Sequence, residues 1–160
     1  MRDVPIIKIA LKIDRSTDRP RGAERRLVLP FAERSKSRLR AVLDNGEEAG
    51  LFLERGSILR HGDLLLTDDG RVVEVEAAQE TVSTVRTGNG LMLARASYHL
   101  GNRHVPLQIG PDWLRYCHDH VLDDMLRGFG LAVSVEQAPF EPEGGAYVSS
   151  HAHSHPHSHD

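Results

Sequence analysis

Residues 81–135 read TVSTVRTGNG LMLARASYHL GNRHVPLQIG PDWLRYCHDH VLDDMLRGFG LAVSV, and the order of elements along this stretch decides the fold. The β-branched run from Thr81 to Arg86 predicts a strand. Asn89 to Leu100 predicts a helix, because Leu91, Met92, Ala96 and Leu100 recur near helical spacing and Gly101 is suited to stop it. Val105 to Ile109 and Trp113 to Tyr116 predict two short strands around the turn Gly110-Pro111-Asp112. Val121, Leu122, Met125, Leu126 and Phe129 then form one apolar stripe at i, i+1, i+4, i+5 and i+8, the mark of a second helix. Asp119, Asp123 and Asp124 crowd its first turn, where the helix dipole favours acids, and Gly128 and Gly130 end it. Leu131 to Val135 is a last strand. The sum is βαββαβ, the order of a ferredoxin-like fold.

Before this stretch the chain has a different period. Ile7, Ile9, Leu11 and Ile13 alternate with Lys8 and Lys12, and Arg26 to Phe31 is a second apolar run. Arg38–Leu43 and Ala49–Leu53 flank Asp44-Asn45-Gly46. Leu64–Thr67 and Arg71–Ala77 flank Asp68-Asp69-Gly70. Both spacers are hairpin signals, since Asn and Gly tolerate positive φ. Gly50, Gly56 and Gly62 mark expected bends. The first half therefore reads as a small all-β module, and the whole as an α+β chain. Its divisions are an all-β domain at 1–74, a ferredoxin-like domain at 75–138 and a disordered, His-rich tail at 139–160. The tail opens with a linker, because Pro139 to Gly145 is rich in Pro, Glu and Gly.

The 160 residues suffice for one ordinary domain or two small ones. With 39% apolar and 27% charged residues the chain affords a core, while 5% aromatics points to cores built from Leu, Val and Ile. No apolar run reaches 18 residues, so no membrane-spanning helix is expected. The N-terminus reads as a strand and not a signal peptide. One cysteine, Cys117, cannot form an internal disulfide, which points to a reducing, intracellular setting. The formal charge of −3 hides an asymmetry. Residues 1–75 carry 15 Lys/Arg against 13 Asp/Glu, whereas residues 76–160 carry 5 against 10. With no basic stripe and no interleaved aromatics, nucleic-acid binding has little support. The acidic half concentrates cations, and it holds nine of the ten histidines.

Five of these occupy alternate positions in the tail: His151, His153, His155, His157 and His159. Ala, Ser and Pro separate them, unlike the unbroken run of a purification tag. Such imidazoles converge on a divalent transition metal; neutral imidazole suits Ni(II), Zn(II) and Cu(II). Within the folded part, His118 and His120 form His-x-His. In an extended segment both rings leave one face, with Cys117 and Asp119 on the other; in a helix Cys117 and His120 share a face. The bland alternative is a helix N-terminus capped by Asp119 with exposed histidines. His104 alone cannot fill a coordination sphere, but a two-fold axis would supply it twice. His99 reads as a packed or interface histidine, and His61 as an exposed turn residue. No His-Glu-x-x-His, Gly-x-Ser-x-Gly or P-loop motif occurs.

Several segments together resemble the urease accessory protein UreE family. They are Tyr98 to Ile109 with its Gly-Asn-Arg-His core, His118 to Leu126, Pro139 to Glu143, Arg38 to Ala41, Arg60 to Asp63 and the His-rich end. The likeness spans nearly the whole chain. It implies a non-enzymatic cytoplasmic nickel metallochaperone that is homodimeric and delivers Ni(II) for assembly of the urease active site. Its implied partners are the urease apoprotein and other accessory proteins, including the GTPase, with no nucleic acid and no membrane. It also implies an N-terminal domain similar to the peptide-binding domain of Hsp40 chaperones, and a ferredoxin-like domain that dimerises. His104 is the implied ligand at the dimer interface, and His118 and His120 are secondary ligands. The resemblance says little about individual tail histidines, and the residues themselves do not rank Ni(II) over Cu(II) or Zn(II). A different class, a small zinc-dependent hydrolase using His104, His118 and His120, remains an alternative, as does an interaction module with an incidental tail.

Overall fold

A computed structural model describes residues 6–13 and 22–145. The first half forms a six-stranded sheet. Its strands are β1 (Ile7–Ile13), β2 (Arg25–Leu29), β3 (Arg38–Val42), β4 (Glu48–Phe52), β5 (Leu64–Thr67) and β6 (Val72–Ala77), in the order β2-β6-β5-β1-β4-β3. Both anticipated hairpins are present, β3–β4 and β5–β6, each antiparallel. Gly46 (φ 88°) and Gly70 (φ 85°) occupy the left-handed positions of the two turns. The sheet is mixed, since β1 runs parallel to β4 and β2 parallel to β6. Ile9, Leu27, Leu51, Leu59, Leu65, Val73 and Val75 fill the core beneath it. Each such side chain contributes about 1.5–3 kcal/mol by leaving water.

Three local expectations fail here for physical reasons. The alternation of β1 breaks between Ile9 and Leu11, where the register against β5 shifts, so Leu11 is turned out to solvent. Gly50 is not a bend: it lies inside β4, paired with Lys8 and Arg40, and a Cβ there would press on the Phe52 ring. Phe31 does not extend β2. Pro30 precedes a one-turn helix, α1 (Phe31–Arg34), because proline's fixed φ suits a helix entry and its missing N–H suits a strand end.

The second half is the anticipated ferredoxin-like unit. It runs β7 (Gln79–Arg86), α2 (Gly90–Asn102), β8 (Gln108–Ile109), β9 (Trp113–Cys117), α3 (His120–Gly128) and β10 (Val133–Pro139). The sheet is antiparallel in the order β10-β7-β9-β8. Asn89 caps α2 by accepting from Leu91 N and Met92 N. The buried face of α2 is Leu93, Ala96 and Leu100, so the predicted stripe is rotated and Leu91 is exposed. In α3, Leu122 and Leu126 are buried but Val121 and Phe129 are exposed, and the acid Asp123 takes an inward place. The sheets change hands between Ala77 and Gln79, whereas the sequence reading set the junction at 74/75 and so cut through β6.

The start of the expected linker is also part of the fold. β10 continues through Pro139, and Phe140 is fully buried, edge-on to Phe31 with ring centroids 5.7 Å apart. Arg34, itself fully buried, donates to the carbonyls of Leu29 (3.0 Å), Leu59 (3.1 Å) and Phe140, and pairs with Glu141. Arg60 reaches the Pro142 carbonyl at 2.7 Å, and the Glu143 N–H donates to the Leu107 carbonyl at 2.8 Å. Residues 140–143 thus bolt the second unit to the first. Proline and glutamate look like linker composition because the arginines that bond them, Arg60 and Arg34, lie 82 and 107 residues earlier.

Candidate metal centre

His104 stands at the C-terminal end of α2. The Val105 N–H donates to the Leu100 carbonyl (3.2 Å) and the His104 N–H to the Gly101 carbonyl (3.0 Å). These are the two bonds of a Schellman motif, whose left-handed position normally holds glycine. That position is His104, at φ 58°, the one non-glycine residue with positive φ among the described residues. The expected stop at Gly101 is therefore displaced: Gly101 is still helical. α3 ends on the same pair of bonds, Leu131 N–H to Leu126 carbonyl (3.1 Å) and Gly130 N–H to Arg127 carbonyl (2.9 Å), and there the left-handed residue is Gly130 at φ 84°. A Cβ in this conformation costs about 1–2 kcal/mol. Val105 packs on the domain core, and the His104 side chain projects into solvent.

His118 directly follows β9, its N–H donating to the Thr81 carbonyl at 3.1 Å. Two residues earlier on the same face is Tyr116, which is buried and paired across the sheet with Ser83. The His118 Nδ1 lies 3.1 Å from Asp123 Oδ2 and 3.1 Å from Ser83 Oγ. Tyr116 donates its hydroxyl to Asp123 Oδ1 at 2.6 Å. Burial and the Asp123 carboxylate push the Tyr116 phenol well above its ordinary range, so it remains a donor. A carboxylate only accepts, so the Asp123 contact calls for a proton on His118 Nδ1. A metal-binding imidazole has the same arrangement, with its second nitrogen donating to a carboxylate.

Asp119 caps α3, accepting from Val121 N (2.8 Å) and Leu122 N (3.3 Å). His120 is the first helical residue and is exposed. The His-x-His segment is thus neither a strand nor a helix but the junction between them, with the cap read from the sequence. Cys117 is exposed, and desolvation by its surroundings followed by the Glu80 carboxylate pushes its thiol up. His99 is half-buried between the rings of Tyr98 and Phe129, at centroid distances of 5.3 and 4.9 Å, as a packed histidine. His61 is exposed, with Nδ1 accepting from the Ala77 N–H at 3.3 Å. His151, His153, His155, His157 and His159 lie outside the described residues.

No group of three or more His, Cys, Asp or Glu side chains converges on a common metal position among the described residues. His104, His118 and His120 are therefore not brought together into one site. The Ser83, His118 and Asp123 contacts do not make a nucleophilic triad either. Serine and aspartate meet the same ring nitrogen, and Ser83 is fully buried, so no base stands ready to take its proton for attack. What remains is a set of separate imidazoles, one held out on a strained turn and one oriented by a buried carboxylate. Sequence reasoning missed Asp123 as the partner of His118. Its one signal was an acid interrupting the apolar face of α3 between Leu122 and Leu126.

Comparison with known proteins agrees with both halves of the fold. Residues 7–78 match the family model of the UreE urease accessory protein N-terminal domain, and residues 80–160 that of its C-terminal domain. A urease accessory protein UreE from Alkalilimnicola ehrlichii is 66% identical over 125 residues, covering 78% of this chain and 77% of its own. One from Cupriavidus necator is 55% identical over 152 residues, covering 91% and 79%. One from Citrobacter koseri is 56% identical over 151 residues, covering 93% and 99%. With both domain models matched in order along a βαββαβ unit that follows an all-β sheet, the chain belongs to the UreE family of urease accessory proteins.

Proposed function

We propose that this chain is a cytoplasmic, homodimeric nickel carrier that binds Ni(II) through histidine and delivers it to the urease apoprotein with other accessory proteins, including the GTPase. One observation supports it most. A single chain gathers no three ligands among its described residues, while His104 stands exposed at a backbone position that costs free energy to hold. Strain retained at an exposed histidine is expected where function needs it. A site completed by a second copy of His104, and by tail histidines, is open enough to release its ion. A closed four-ligand cage is not. His118 and His120 act as secondary ligands, and the tail acts as a reservoir. Cu(II) and Zn(II) compete in vitro, since the affinity order puts Cu(II) highest for such donors. A zinc hydrolase would need three protein ligands around an open position, and no such group forms among the described residues.

Nickel calorimetry tests this reading on three proteins: the full chain, the chain ended at Ser150, and the shortened chain carrying His104→Ala. The expected results are more than one Ni(II) per dimer in the first, fewer in the second, and loss of the tight site in the third. Equal stoichiometry in the first two would count against the tail. Undiminished affinity in the third would sink His104.

A further inference from the structure

Asp123 is a carboxylate with only 2% of its side chain exposed, on a helix face otherwise occupied by Leu122 and Leu126. Withdrawing a carboxylate from water costs several kcal/mol unless donors replace the solvent. Two donors do so, Tyr116 Oη at 2.6 Å on one oxygen and His118 Nδ1 at 3.1 Å on the other. Ser83, paired with Tyr116 across the sheet, also meets His118 Nδ1 with its hydroxyl at 3.1 Å. Of these four residues only His118 is open to solvent. A network built only to tie β9 to α3 has no need to end on an exposed imidazole.

We propose that Asp123, seated by Tyr116, is the positioning residue that fixes His118 as a metal ligand through Nε2. The proposal rests on the carrier reading of His118. A free neutral imidazole divides its proton between two nitrogens, and its ring rotates. Asp123 removes both freedoms: it holds the proton on Nδ1 and aims Nε2 outward, so the ion meets a lone pair in a set direction. Aspartate suits this because both its oxygens accept. Asparagine at the same place presents one acceptor oxygen and one NH2 group, so it cannot accept from Tyr116 and His118 on separate oxygens.

The test begins on metal-free, 15N-labelled full chain at about pH 8, where an ordinary imidazole is neutral. Long-range 1H–15N NMR reports which nitrogen of His118 is protonated. The expected form is Nδ1–H; Nε2–H in the unmodified chain would overturn the proposal, and this arm needs no variant to fold. In Asp123→Asn the ring shifts toward Nε2–H, and nickel affinity at the His118-dependent site falls roughly 10–100-fold. Tyr116→Phe keeps the carboxylate on His118 and retains the Nδ1–H form, with a smaller loss of affinity. An unchanged ring and unchanged affinity in Asp123→Asn would overturn the positioning role alone. If His118→Ala binds nickel as the unmodified chain does, the carrier reading of His118 fails, and the proposal falls with it.

Discussion

Two residues hold the same backbone position at the ends of the two C-terminal helices. Gly130 holds it at no steric cost, and His104 holds it at a cost. The comparison yields a prediction that separates stability from function. His104→Gly raises unfolding stability by about 1 kcal/mol and the melting temperature by a few degrees, while weakening tight nickel binding. Thermal melts with nickel titration of the same sample check both; a less stable His104→Gly would show that the turn is not strained. His104 was legible as a candidate through the Gly-Asn-Arg-His segment, but its conformation was not. Gly101 offered itself as the helix stop, and only the hydrogen bonds show the helix running past it. Asp123 was legible only as a first-turn acid, because its partner lies five residues back, across a change from strand to helix.

At the scale of elements, local chemistry read well wherever it was strong. The two Asp/Asn-Gly turns, the Asp119 cap and the βαββαβ order all appear as the sequence implies. It read poorly where a neighbour decides. The β1 bulge, the rotated face of α2 and the one-turn α1 depend on what packs beside them. The two hairpins of the first sheet are also tied to each other. Arg71 beside the β5–β6 turn donates to both oxygens of Glu47 beside the β3–β4 turn, at 2.8 and 2.9 Å, and pairs with Asp69 at 2.9 Å. The Arg71 hydrogen bonds hold Glu47 and Asp69 down at about 2. A carboxylate lowered by folding stabilises at full strength above its unfolded value of about 4 and loses that contribution as pH falls toward the folded value. Denaturant melts across acid pH are therefore expected to show stability falling between about pH 4 and about pH 2, with a shallower fall in Glu47→Gln. Parallel curves for the two proteins would remove these turns from the acid response.

Over the whole molecule, the two units are joined by a buried arginine that no local pattern announces. Arg34 bonds three carbonyls and Glu141 at once, so removing it takes a donor from each, although the Ala78 N–H still reaches the Leu29 carbonyl and the His61 N–H still reaches Glu141. Arg34→Met is expected to cost about 3–5 kcal/mol and to loosen residues 140–143 from the first sheet. Hydrogen exchange at the Glu143 amide, now bonded to Leu107, reports the loosening; unchanged protection there would mean the clasp does not depend on Arg34. The clasp also ties the chain just before the tail to the segment that follows His104. The division into a β sheet and a ferredoxin-like unit was readable from the sequence, because hydrophobic period changes between them. Their attachment was not, because it joins residues far apart in the chain. The central claim concerns nickel delivery, and one measurement meets it directly: urease activation at limiting nickel in cells lacking this chain, complemented by the unmodified protein or by His104→Ala. The account predicts that the unmodified protein restores activity and that His104→Ala does not. Full restoration by His104→Ala at the same nickel supply would contradict it.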